Sequence, residues 1–121
     1  MTADLPIHKD LWEMLAIIGD EGGAPVSFPM VVDTLAEWRG GGFRELPEGA
    51  EDLIRMCLAN GWATCEGVAE WAGPPRDWKA YPEKLHEIVR FNEKSRLWDS
   101  MPAFENARLV LTGVGDGILR G

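Results

Sequence analysis

This chain is poor in the residues that most site chemistry requires. Its 121 residues include two histidines, two cysteines and one tyrosine. Glu83-x-x-His86 has the spacing of one half of a di-iron carboxylate site, but that chemistry needs a second such pair on another helix, and His8 does not supply it. No metal site is therefore expected. Cys57 and Cys65 are too far apart for a Cys-x-x-Cys redox or zinc motif, and two cysteines make no disulfide framework, which fits a reduced, cytoplasmic protein. Long apolar runs are missing too. No stretch approaches the roughly 18 residues that span a bilayer, and no basic region followed by an apolar run opens the chain, so neither membrane nor secretory signal is expected.

The scarcest commodity in the first half is positive charge. The whole chain carries a net −8. Residues 1–61 hold four basic groups (Lys9, Arg39, Arg44 and Arg55) against eleven acidic ones, a net of −7. Residues 62–121 hold eight against nine, a net of −1. Lys and Arg supply most non-specific affinity for nucleic acid, so the first half suits a basic protein surface better than phosphates.

What is present is ordinary for a folded domain: 45% apolar and 26% charged residues, enough for one hydrophobic core in a single domain over residues 1–121. Six Trp is high for this length. Residues 1–7 read as a loose arm and residues 8–19 as a helix, with Leu11, Leu15 and Ile18 on a face shared with Met14. Asp20-Glu21 begins a loop that runs to Pro25. Ser27 is a candidate N-cap, with Pro29 near the start of a second helix to about Trp38, on which Val31, Leu35 and Trp38 recur at helical spacing. Gly40-Gly41-Gly42 ends it, and a turn follows to Pro47.

Residues 48–60 form a third helix, apolar at Leu53, Ile54, Cys57 and Leu58, stopped by Asn60-Gly61 and running into a strand-like Trp62-Ala63-Thr64-Cys65. Pro82 starts a fourth helix to about Trp98, with Leu85, Ile88, Phe91 and Trp98 on one face. Ala107 to Leu111 is a β-like run, followed by a short segment containing Gly113, Gly115 and Gly117. That glycine run lacks the spacing of either a dinucleotide fold or a nucleotide triphosphatase loop.

Two pieces together resemble a winged helix-turn-helix domain of bacterial or phage regulators. Leu53-Ile-Arg-Met-Cys-Leu-Ala-Asn-Gly-Trp62 is similar to the end of a recognition helix entering the first wing strand. Arg108-Leu-Val-Leu-Thr-Gly-Val-Gly-Asp-Gly-Ile-Leu119 is similar to the second wing strand and a Leu-Thr-x-x-Gly turn into a terminal helix. In the resemblance Thr112 caps that helix and Gly115 allows close backbone packing. It implies an α+β, mostly α fold: a three-helix winged-helix core (residues 8–66 and 107–119) with a small two- or three-stranded β wing. An extra helix near residues 82–98 lies within an insert, residues 67–106. About forty residues between the wing strands exceed the usual short hairpin.

The resemblance also implies a non-enzymatic role in DNA-linked regulation, as a transcription regulator or accessory factor, with DNA as partner. Its candidate contacts are Arg39, Arg44, Arg55, Arg76, Lys79 and Arg108. The charge split points to a second role on the same scaffold, an acidic inhibitor or adaptor that docks on a basic protein through Glu45, Glu48, Glu51 and Asp52. Trp71, Trp78, Tyr81 and Trp98 flank the insert and either pack it onto the core or form a homodimer surface. No nucleophile–base pair, catalytic carboxylate pair or cofactor site can be assigned.

Overall fold

The computed structural model describes residues 9–19, 24–40, 45–82 and 84–120. The expected arm, His8, Asp20-Glu21, Arg44 and Glu83 lie outside them. The architecture is α+β, with helix the larger share. Helices α1 (Lys9–Ile18), α2 (Phe28–Trp38) and α3 (Ala50–Ala59), with a two-residue strand β1 (Val26–Ser27) between the first two, are followed by β2 (Ala63–Glu66). After the insert come β5 (Arg108–Leu111) and α5 (Gly113–Arg120).

The helix ends follow from local chemistry. The Ser27 hydroxyl accepts the Met30 N–H at the start of α2, where Pro29 lacks a donor that would be left unused. Gly61 ends α3 in the left-handed region, at φ 74°. There Trp62 N–H reaches back to the Cys57 carbonyl and Gly61 N–H to that of Leu58, which satisfies two of the helix's last acceptors. At the far end Thr112 Oγ1 donates to the Gly61 carbonyl at 2.6 Å and accepts the Gly115 N–H at 3.1 Å. Gly115 is pressed against the same corner. A Cβ there would stand 1.9 Å from the Trp62 carbonyl oxygen.

β5 is the middle strand of an antiparallel sheet ordered β1-β5-β2, with Val26 opposite Leu109 and Ala63 opposite Leu111. The core gathers Met14, Leu15 and Ile18 of α1, Val31 and Leu35 of α2, and Ile54 and Cys57 of α3. Trp71, Tyr81, Leu85, Ile88 and Trp98 of the insert belong to the same cluster, so the insert has no separate core. Trp38 departs from the expected face of α2 and is 48% exposed.

The fourth helix expected over residues 82–98 is a single turn, α4 (Leu85–Ile88), followed by a hairpin of β3 (Val89–Asn92) and β4 (Leu97–Ser100). Asn92 is the reason. Its side-chain oxygen accepts the N–H groups of Lys94 and Ser95, a local turn that competes with helical hydrogen bonds. Arg96 then takes φ 62°, a left-handed value that turns the chain back. Phe91 opposes Trp98 and Arg90 opposes Asp99, so the residues at helical spacing also satisfy a strand pair.

Candidate functional site

The surface with most to say about function is α3 and what lies against it. Glu51 and Asp52 stand in its first turn, where carboxylates complement the helix dipole. Four residues on, Arg55 donates through Nη2 to Glu51 Oε2, and Asp52 Oδ1 lies 3.6 Å away. Arg55 is 4% exposed. The other Glu51 oxygen accepts the Leu85 N–H at 2.9 Å, so a carboxylate on α3 caps α4 across 34 positions of sequence.

The insert lies against the same helix. The 3-10 turn Trp78–Ala80 packs on α3, and Pro75 stands over Gly61, within 3.2 Å of where a Cβ would be. The part-exposed positions of α3 are Glu51, Asp52, Met56 and Ala59, none of them cationic, and Ala59 packs against the core.

The candidate nucleic-acid contacts among the described residues are each engaged within the fold. Arg39 caps the end of α2, donates to the Glu48 carbonyl at 2.5 Å, and lies 3.8 Å from Asp10. It thereby ties the start of α1 and the approach to α3 to the end of α2. Arg55 is internal, which corrects its expected place among the contacts. Arg76 donates to the Glu70 carbonyl and lies 4.2 Å from the centre of the Tyr81 ring. Lys79 lies 5.6 Å from the Trp78 ring, and Arg108 donates to the carbonyls of Glu105 and Ala107. Lys79 stands in the turn that packs on α3 and Arg39 reaches the approach to that helix, and both are already engaged, by the Trp78 ring and by the Glu48 carbonyl with Asp10.

The expected acidic face also divides. Glu45 and Glu48 are exposed and Asp52 keeps about half its side chain in solvent, but Glu51 is committed to Arg55 and Leu85. Of the aromatics expected at a homodimer surface, Trp71, Tyr81 and Trp98 are buried. Trp71 packs on Phe28 with ring centres 5.8 Å apart and donates to the Pro82 carbonyl at 3.0 Å. Only Trp78 keeps substantial exposure, because the other three fill the space between the insert and the helices. Those three therefore offer no face to a second copy.

Cys57 and Cys65 are free and buried, and burial pushes both thiols up to about 12, far from a reactive thiolate. His86 is exposed, and no cluster of three metal-ligating side chains forms among the described residues. No helix among them is long and apolar enough to cross a membrane.

Sequence reasoning missed Asp33. Lying among apolar residues of α2, its carboxylate accepts the Trp98 N–H at 3.0 Å and so docks the hairpin on that helix. Burial, then the Trp98 hydrogen bond in opposition, then neighbouring Asp99, leave its pKa above the ordinary carboxylate value. An acid inside an apolar helical stretch was the available signal. Comparison with models of protein families, with curated proteins and with solved structures gives no match.

Proposed function

We propose that this chain is a non-enzymatic winged-helix module that binds a basic protein and does not read DNA with α3. Support for the scaffold comes from three helices followed by β2, its antiparallel pairing with β5, and the Thr112-capped terminal helix. The observation that carries the binding mode is the burial of Arg55 in contact with Glu51 and Asp52, on a helix against which the insert packs. A reading helix needs side chains that reach base edges and phosphates. Here the part-exposed positions of α3 are Glu51, Asp52, Met56 and Ala59, with no cation among them. Glu45, Glu48 and Asp52 remain in solvent beside them, a charge pattern that attracts cationic surfaces and repels nucleic acid.

The test is affinity capture with the intact protein, followed by titration of the captured protein after its purification. A basic partner should be recovered, and its affinity should fall when Glu45, Glu48 and Asp52 are changed together to Gln. Glu51 is left intact because it holds the fold. Unchanged affinity in the triple variant overturns the acidic face.

A second reading, DNA binding through the wing side, is favoured by Arg76 and Arg108, which donate to carbonyls and not to carboxylates. A shifted mixed-sequence duplex at about 50 mM salt, weakened by Arg76→Ala, Lys79→Ala and Arg108→Ala, would establish it in place of the first.

A further inference from the structure

The corner where α3 hands over to β2 carries a chemically reactive dipeptide. Of the chain's asparagines, Asn60 alone precedes glycine, whereas Asn92 is followed by Glu93 and Asn106 by Ala107. Glycine has no Cβ to shield its nitrogen, so Gly61 offers the least hindered backbone nucleophile that an asparagine of this chain meets. When such a nitrogen attacks the side-chain carbonyl, a five-membered imide forms and ammonia leaves.

The fold holds this pair away from ring closure. Asn60 is exposed, so water and base reach its amide. Its ψ of −2° eclipses its own backbone nitrogen with that of Gly61, which leaves Cβ a third of a turn away from the nucleophile. Closing the ring requires that rotation about the Cα–C bond. Local hydrogen bonds oppose it: the Asn60 side-chain amide donates to the Met56 carbonyl at 2.8 Å, Gly61 N–H to Leu58 at 3.1 Å, and Trp62 N–H to Cys57 at 3.0 Å. The far end of the chain adds a clasp. Thr112 donates through Oγ1 to the Gly61 carbonyl and through its N–H to the Trp62 carbonyl, and it is held there by α5. A helix end opens more readily than a core, so the clasp sets how often the corner is free to rotate.

We propose that Asn60-Gly61 is a self-modification site whose rate is set by opening of the Thr112 clasp. In the open corner, base removes the Gly61 amide proton and the nitrogen's electron pair forms a bond to Asn60 Cγ. The Cγ–Nδ2 bond breaks, and ammonia leaves after taking a proton from solvent. Water then adds to one of the two imide carbonyls, opening the ring to aspartate or isoaspartate. Either product puts a carboxylate at the negative end of the α3 dipole. Isoaspartate also lengthens the backbone by a methylene beside Trp62, whose carbonyl is pressed against Gly115. Re-closing is thereby hindered, and an opening event leaves a permanent mark. This site stands independently of the protein-binding reading.

The test follows the intact mass of the full chain in mildly alkaline buffer, with peptide mapping to locate the change. Deamidation alters the mass, whereas isomerisation at Asp116-Gly117 does not. Modification should map to Asn60 and run at least about tenfold slower in the folded protein than in guanidinium chloride, because only the open fraction reacts. Thr112→Val, which keeps the shape and removes the hydroxyl, should speed it about fivefold, whereas Thr112→Ser should stay within about twofold of the parent. Val114→Ala, an exposed change on the same helix, should also stay within about twofold. Denaturant titration gives each variant's globally unfolded fraction, and the Thr112→Val rate should exceed what that fraction accounts for. Equal rates in folded and unfolded chains overturn the gate, as does a Thr112→Val rate that is unchanged or explained by global unfolding alone. Modification mapping first to Asn92 or Asn106 overturns the site. Deamidated protein isolated by ion exchange should lose hydrogen-exchange protection at the Thr112 amide, and full protection there overturns the permanent mark.

Discussion

Replacing Glu51 by Ala removes the acceptor at which α3, Arg55 and α4 meet. Breaking a fully buried pair costs about 3–5 kcal/mol, because the remaining charge is left without compensation. Two features reduce that here: Asp52 stays 3.6 Å from the guanidinium, and the Glu51 side chain is itself 19% exposed. About 2 kcal/mol is the appropriate share for the ion pair. The Leu85 N–H also loses its acceptor, which adds about 1 kcal/mol. A total near 3 kcal/mol lowers Tm by roughly 10 °C in a chain of this size.

Urea unfolding gives the stability loss, and hydrogen exchange at the Leu85 amide reports whether α4 has been released. Arg55→Met, combined with Glu51→Ala in a double-mutant cycle, should reveal a coupling of about 1–2 kcal/mol. A loss below about 1 kcal/mol with the Leu85 amide still protected would refute the clamp.

Two further substitutions probe the remaining joints. Gly115→Ala should release α5 from the Trp62 corner, since the added carbon would stand 1.9 Å from a backbone oxygen, whereas Gly117→Ala meets nothing within 4 Å and should be tolerated. Thermal melts that lower the first variant no more than the second would contradict the close approach. Asp33→Asn keeps an oxygen to accept the Trp98 N–H and removes a charge that folding penalises. Because the folded pKa of Asp33 is raised, the folded state binds more protons between the ordinary and the raised value, so this residue's contribution to stability falls as pH rises through that window. The variant should therefore match or exceed the parent near pH 7, with its advantage shrinking towards about pH 4. A variant less stable at neutral pH, with a gap that closes on acidification, would mean that the carboxylate charge is favourable in the fold.

Local signals account for what the sequence made legible. Ser27 with Pro29, Asn60-Gly61, and Thr112 with Gly115 are each decided within a few residues, and each sits where the chain pattern puts it. Leu85, Ile88, Phe91 and Trp98 were ambiguous because helical spacing and strand alternation both accommodate them. The decisive residue, Asn92, acts through its side-chain hydrogen bonds and not through hydropathy. At the candidate site the charges of Glu51, Asp52 and Arg55 were visible, and so was their four-residue spacing. What could not be read was the cover: Trp78–Ala80 lies over α3 through contacts between distant parts of the chain. Trp38 was expected inside for the same reason, since its spacing from Val31 and Leu35 does not reveal which flank of α2 the core occupies.

The central place of β5 has a consequence for the order of events in folding. β1 and β2 do not pair with each other; each pairs with β5, the last strand in the chain. Until residues 108–111 arrive, two earlier strands lack the partner that joins them, and Thr112 is not yet there to clasp Gly61. The three N-terminal helices can meet through nearer contacts, but closing the sheet spans the whole insert, a loop whose entropy opposes pairing. The sheet therefore records the arrival of the C-terminal segment: a probe on Cys65, opposite Leu109, would report completion of the fold rather than its beginning.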